Sequence, residues 1–350
     1  MSTFLIYGAY GFTGKLIARL AVSNGHQPIL AGRNAEKTKS LADGLGLPWE
    51  AFDLTDTTTL KRILGNCNAI INAAGPYSAT ANAVMQACID TKCNYIDITG
   101  EVDVFELGAS LDAKAKEAGI CIIPGCGFDV VPTDCMAAWL KSQLPDASHL
   151  ELAFKGASSI SRGTALTMVE NIHRGGMIRK DAKLMPVPSA WKTRMIDFGK
   201  GPRLAMTIPW GDVSTAYYST GIPNVMVYLG VNKATLRMAR LSGVFKGLLS
   251  SKWMQKQMKK YVNKNVKGPS EQLMRDARTL VWGEVRNSAG KSVQGLMETP
   301  EAYSLTAKTA LMALEECLKL KPDPGFKTPS RAFGADFILK VEGVKRWKVS

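Results

Sequence analysis

The sequence predicts an α/β protein: an N-terminal doubly wound parallel sheet with an inserted α+β second domain. Three observations predict it. Strand and helix signals alternate at βαβ spacing over the first 130 residues, a glycine-rich turn stands at the first strand-to-helix junction, and beyond Pro132 the rhythm gives way to longer segments.

The elements follow in order. Residues 3–8 read as a short apolar strand, and 14–24 as a helix with Leu16, Ile17, Leu20 and Ala21 on one face. Strand 28–32, helix 35–44, strand 49–53, helix 57–64 and the β-branched strand 69–73 continue the alternation. Helix 79–91, strand 95–98, a helix near 104–118 and strand 120–124 complete it. Six strands with five crossovers make a Rossmann sheet. In the second half, strands at 150–154 and 225–229 beside turn-rich stretches indicate a mixed or antiparallel sheet, and 301–320 reads as one strong helix.

The bulk numbers set limits. A chain of 350 residues suits two domains. No stretch approaches the roughly 18 uncharged apolar residues of a membrane span, and the N-terminus lacks the pattern of a signal peptide, so a cytosolic protein is expected. Seven cysteines lie mostly in apolar segments, with only His26, His149 and His173 beside them, which favours reduced core thiols and no metal. The net charge of +14 is uneven. Residues 1–130 carry 10 basic and 13 acidic side chains, and the remainder 34 and 17.

The clearest chemistry is Gly8-Ala-Tyr10-Gly11-Phe12-Thr13-Gly14, whose glycines permit a tight turn and let backbone N–H groups approach a pyrophosphate at a helix N-terminus. A phosphate-binding P-loop is rejected, because Ala9 and Leu16 stand where it needs Gly and Ser or Thr. Strand two ends Leu30-Ala31-Gly32-Arg33, without the acidic residue that accepts from an NAD ribose. Arg33 suits a 2′-phosphate instead, which selects NADP; the alternative is a solvated arginine at a strand end. Strand four ends Asn72-Ala-Ala74-Gly75-Pro76-Tyr77, small residues that let a cofactor pass. Short-chain dehydrogenase chemistry is excluded: it needs Tyr-x-x-x-Lys, but Ala81, Thr99 and Asn265 stand four residues after Tyr77, Tyr95 and Tyr261.

These runs, together with Tyr95-Ile-Asp97-Ile-Thr99-Gly100-Glu101 and Pro124-Gly-Cys-Gly127-Phe128-Asp129-Val-Val-Pro132, resemble the saccharopine dehydrogenase-like oxidoreductases. Gly268-Pro269-Ser270-Glu271, Trp282-Gly283-Glu284, Pro300-Glu301-Ala302-Tyr303 and Phe333-Gly334-Ala335-Asp336 are similar to the bacterial branch that includes trans-acting enoyl reductases. The resemblance spans nearly the whole chain. It implies an NADP-binding domain at 1–131, a substrate domain at 132–300, and a returning helix and C-terminal segment at 301–350 that pack on the first domain. It also implies cofactor contacts at Gly8, Tyr10, Gly11, Phe12, Thr13, Gly14, Arg33, Asp53, Ala74, Gly75 and Pro76. The function expected is NADPH-dependent reduction of an enoyl or carbonyl group on a lipid-like or polyketide-like substrate. A saccharopine-type amino-acid dehydrogenase and a silent NADP-binding scaffold remain as alternatives.

By location Tyr77, Asp97, Glu101 and Asp129 are candidate proton donors, with Tyr77 and Asp97 expected to line the site. Asp97 and Asp129 have a plain alternative as caps or loop ties, Tyr77 as a stacking partner. Gly163-Thr164, with Thr167 one turn on, would open a helix facing the pocket, and His173 has no assigned role. Met168, Met177, Met185, Trp191, Met195, Met206 and Trp210 are expected to line an elongated apolar pocket, or else to be ordinary core.

Residues 233–267 hold ten basic residues and no acidic one, interleaved with apolar ones and broken near Gly243 and Ser250-Ser251. The segment reads as an anionic membrane contact, an acyl-carrier contact or a solvated helix. No nucleic-acid partner is expected, and self-association stays open.

Overall fold

The first strand, β1 (Phe4–Tyr7), is buried along its whole length, which is the signature of a central parallel strand covered on both faces. It comes from a computed structural model that describes residues 3–156, 160–171, 175–244, 246–266 and 268–349. The helix α1 (Phe12–Ser23) follows, with Ile17, Ala18 and Ala21 against the sheet. Next come β2 (Ile29–Gly32) and α2 (Ala35–Leu45), where Asn34 caps the helix by accepting from Lys37 N–H and Gly46 ends it in the left-handed conformation. β3 (Trp49–Ala51), α3 (Thr57–Leu64), β4 (Ala69–Asn72), α4 (Tyr77–Thr91) and β5 (Asn94–Asp97) continue the pattern. The helix expected near 104–118 breaks at Leu111 into α5 (Val102–Ser110) and α6 (Asp112–Ala118), before β6 (Cys121–Ile123).

The second unit opens on α7 (Val131–Gln143), β7 (His149–Lys155) and α8 (Arg162–Asn171). Four strands follow, β8 (Gly176–Lys180), β9 (Lys183–Val187), β10 (Thr193–Asp197) and β11 (Pro202–Thr207), then α9 (Asp212–Thr220) and β12 (Asn224–Gly230). α10 (Lys233–Val244), α11 (Lys246–Leu249), α12 (Lys252–Asn265) and α13 (Glu271–Asp276) lead to the hairpin β13 (Arg278–Arg286) and β14 (Ser292–Pro300). The chain ends with α14 (Ala302–Leu320), β15 (Gly325–Phe326), α15 (Pro329–Phe333) and β16 (Lys345–Lys348).

Residues 1–131 and 303–337 form the first unit. Its strands run β15-β6-β5-β4-β1-β2-β3, every pair parallel, with the direction of winding reversing between β1 and β4. β15, supplied from the far end of the chain, is a seventh strand the sequence did not reveal. α14 is tied in where Thr306 Oγ1 accepts from Phe128 N–H, Thr309 Oγ1 donates to the Cys126 carbonyl, and Glu315 meets His26 at 2.7 Å.

Residues 132–302 and 338–350 form the second unit. The last residues, expected on the first domain, belong here instead, because β16 pairs antiparallel with β14 and continues its sheet. The sheet runs β10-β11-β12-β7-β13-β14-β16, with β8 and β9 attached beside β12, and β12 and β7 parallel. Gly283 and Gly295 face α7, where an added Cβ would stand 2.6 Å from Leu140 and 2.5 Å from Trp139; α7 lies against the sheet at these glycines. On the opposite face Ile196, Phe198, Tyr228, Trp282 and Leu296 form a core. Arg194 on β10 pairs with Glu151 on β7 and Glu284 on β13. Four strand spacings, about 19 Å in a flat sheet, separate β10 from β13, so the sheet is curled.

Beside the curl lies an open pocket of about 320 Å³, lined by Arg194, Met195, Trp282, Gln294, Leu296 and neighbouring residues. Of the methionines and tryptophans expected to line an elongated pocket, Met195 is the one that lines this pocket. Met168 and Trp191 are exposed and Met206 is buried. α8 starts at Arg162, and Ser161 Oγ caps it by accepting from Thr164 N–H. His173 lies outside the described residues. Among the described residues no helix is long and apolar enough to cross a membrane.

Candidate cofactor and proton-transfer site

The turn between β1 and α1 is shaped by backbone approach. Gly8 has φ +80°, and a Cβ there would stand 2.8 Å from the Ala73 carbonyl carbon and 2.9 Å from Ala74 N. A Cβ on Gly14 would stand 2.3 Å from the Gly8 carbonyl oxygen, so the helix starts against the strand only because both positions lack side chains. Gly8 and Ala9 N–H both donate to the Ala31 carbonyl, which ties the turn to β2. α1 begins at Gly11 with no side-chain cap and no acidic residue in its first turn. Its leading N–H groups, at Phe12, Thr13 and Gly14, are those a helix leaves without intrahelical acceptors, and they suit an anion.

Three side chains frame this turn. Tyr10 lies against Gly32, where a Cβ would stand 2.5 Å from the ring, and Phe12 packs edge-on against Tyr303 with ring centroids 5.1 Å apart. Arg33 is exposed at the end of β2. Asp53 is exposed after β3; its carboxylate accepts from the N–H and hydroxyl of Thr55, which together hold its pKa below the ordinary value, and Arg33 adds to the effect.

At the ends of β4, β5 and β6 lies a polar cluster. Asp97 is fully buried and accepts from the Tyr95 hydroxyl at 2.6 Å, Thr99 N–H at 3.0 Å and Gly125 N–H at 2.8 Å. Desolvation outweighs these bonds and pushes its pKa up to about 6. Glu101 caps α4, accepting from Tyr77 N–H at 2.8 Å and Ser78 N–H at 2.9 Å. Asp129 is half-buried and sits against Gly100, where a Cβ would stand 2.7 Å from Oδ2. Burial pushes its pKa up to about 7. Tyr77 is half-buried, and its phenol is raised well above 10, first by burial and then by the fields of Asp97, Asp129 and Glu101.

Residues 4–123 match the saccharopine dehydrogenase NADP binding domain. A mitochondrial saccharopine dehydrogenase-like oxidoreductase of Arabidopsis thaliana is 27% identical over 53% of this chain and 47% of its own length. The trans-acting enoyl reductase of Mycobacterium leprae is 36% identical over 37% of this chain and 33% of its own length. These alignments thus span half or less of each relative. The apo saccharopine dehydrogenase (L-Glu forming) of Saccharomyces cerevisiae has the same fold, with a TM-score of 0.66, coverage of 100% of both chains and 14% identity.

Within this NADP-binding domain the residues present fit the cofactor, since the cradle at Gly8 and Gly14 is one that a Cβ would fill. Gly8, Tyr10, Gly11, Phe12, Thr13, Gly14, Ala74, Gly75 and Pro76 are drawn together around the first turn and the end of β4. Arg33 and Asp53 stand beyond it, just after β2 and β3. Asp97 does not line an open site: its buried carboxylate already holds three donors, which makes it a tie between β5 and the loop after β6. Its partner Tyr95 was legible, because residues two apart on a strand share a face. Glu101, expected as a possible acid by location, is committed to its cap. Of the three carboxyls, that of Asp129 is the least encumbered.

Proposed function

We propose that the chain is an NADPH-dependent reductase acting on an enoyl or carbonyl group of a lipid-like or polyketide-like substrate. The observation that carries this reading is the half-buried carboxyl of Asp129 beside Tyr77, in the same unit as the glycine turn, with burial raising its pKa to about 7. NADPH, when bound, supplies a hydride. Reduction of C=C or C=O then needs one proton, and a donor works best when its pKa lies near the operating pH. Asp129 meets that condition and holds the proton to be delivered. Tyr77 keeps its own proton at any physiological pH and so acts as a hydrogen-bond donor that orients the substrate's developing oxyanion. Arg33, exposed at the end of β2, receives the 2′-phosphate. The enoyl reductase named among the relatives supports the enoyl group as the reducible function.

The deciding experiment follows NADPH oxidation with a panel of enoyl thioesters, enones, ketones and imines. Turnover of an enoyl thioester or a ketone is the expected result. Turnover confined to an imine of an amino acid would return the saccharopine-type reading, and none with any acceptor would leave a nucleotide-binding scaffold.

A further inference from the structure

The second unit carries a surface whose chemistry the proposed reaction does not use. Of the ten basic residues between 233 and 267, eight are lysines and two arginines, and no acidic residue offsets them. α12 shows how they are arranged. Met254, Met258, Val262 and Val266 repeat every four residues, and Met258, Val262 and Val266 pack with Ala165, Leu166 and Val169 of α8. Lys259 turns to the flank of that contact and pairs with Glu170 at 2.6 Å. On the other side Lys256, Lys260 and Lys264 form an exposed ladder at the same spacing. Trp253 is 65% exposed and Tyr261 68%. On α10, Met238 is 71% and Leu241 55% exposed, with Arg237 beside them.

Like charges four residues apart repel along a helix, and water-exposed Trp, Tyr, Met and Leu gain nothing from solvent. Both costs are relieved by a partner that is negative at its surface and apolar just beneath. We propose that α10 and α12 dock on an anionic phospholipid surface, with the lysine ladder at the headgroups and Trp253, Met238 and Leu241 entering the boundary with the acyl chains. Trp and Tyr favour that boundary. Protein interfaces instead enrich Arg and deplete Lys, the reverse of what this segment holds. Nucleic acid would leave the aliphatic Met238 and Leu241 without a partner.

The test is co-sedimentation of the full chain with vesicles of phosphatidylcholine alone and with vesicles of phosphatidylcholine and phosphatidylglycerol in equal parts. The protein is expected to sediment only with the second, and to be released as salt is raised. Lys256→Gln, Lys260→Gln and Lys264→Gln combined should weaken partition by about a hundredfold, at roughly fivefold per lysine. The thermal unfolding midpoint should not fall and NADPH affinity should be unchanged, since the three side chains are exposed and only their mutual repulsion is removed. Vesicles with brominated acyl chains should quench tryptophan emission, and Trp253→Phe should remove most of that quenching. The proposal is overturned if the wild-type chain stays in the supernatant, if it binds neutral vesicles equally well, or if the triple variant still sediments. Binding to an acidic acyl-carrier domain or to RNA without vesicle binding would also overturn it.

Discussion

Asp129 rests its carboxylate against the backbone of Gly100, at a distance that no side chain on residue 100 would tolerate. Burial of this carboxyl raises its pKa to about 7. Asp129→Asn should lower kcat for reduction by about 10²–10⁴-fold while leaving NADPH affinity unchanged. In the wild type, kcat/KM should fall as pH rises through about 7. A variant of full activity, or one with an unchanged pH profile, would remove Asp129 from the chemistry.

The same carboxyl makes a stability prediction. Its folded pKa lies above the unfolded value, so between about pH 4 and pH 7 the folded chain binds more protons than the unfolded one. Stability contributed this way is fully present below about pH 4 and is lost as pH rises through 7. Urea unfolding across that range should show the decline, and Asp129→Asn should flatten part of it. Asp97, raised to about 6, contributes the remaining part in the same direction.

Arg33→Ala tests the choice of cofactor. NADPH binding should weaken by about 1.5–3 kcal/mol, the range of a hydrogen bond to a charged group, and NADH binding should change little. Titration by calorimetry separates the two, and equal losses for both nucleotides would mean that Arg33 does not read the 2′-phosphate.

Gly14→Ala should abolish binding of either nucleotide, since its Cβ would enter the space of the Gly8 carbonyl and push α1 away from β1. Gly44→Ala is the matching control, as nothing lies within 4 Å of a Cβ there. It should leave binding intact and slightly raise the unfolding midpoint.

Glu101→Ala should cost about 1–2 kcal/mol of stability, because two N–H groups at the start of α4 lose their acceptor. Glu101→Gln should recover part of it. If Glu101 were a proton donor instead, the glutamine variant would be stable and inactive, so denaturation and turnover measured together tell the roles apart.

Much of this was readable from the sequence, and the reasons are local. The strands and helices of the first unit follow from short-range periodicity and turn glycines, and the Gly8 to Gly14 spacing dictates a backbone shape before any tertiary contact is known. The acids were harder. Asp97, Glu101 and Asp129 look alike in sequence, and what separates them is how many N–H groups happen to converge on each. Three donors reach Asp97 and two reach Glu101, one of Asp97's supplied by Gly125 from 28 residues away. The course of the C-terminus was hidden for the same reason: β16 is placed by pairing with β14, some 50 residues earlier, and nothing within Lys345–Lys348 names its partner.

The pairing of β15 with β6 also sets an order of events during synthesis. β6 is complete by residue 123, but the strand that covers its free edge lies at Gly325–Phe326, so the ribosome must make about two hundred further residues before that edge can close. Until then the nascent first unit presents an unpaired row of backbone groups at Cys121–Ile123, the kind of edge to which stray strands add. The intervening second unit therefore has to emerge while its host is still unfinished. A chain truncated before Gly325 should sediment with chaperones or aggregates even though its nucleotide turn is intact.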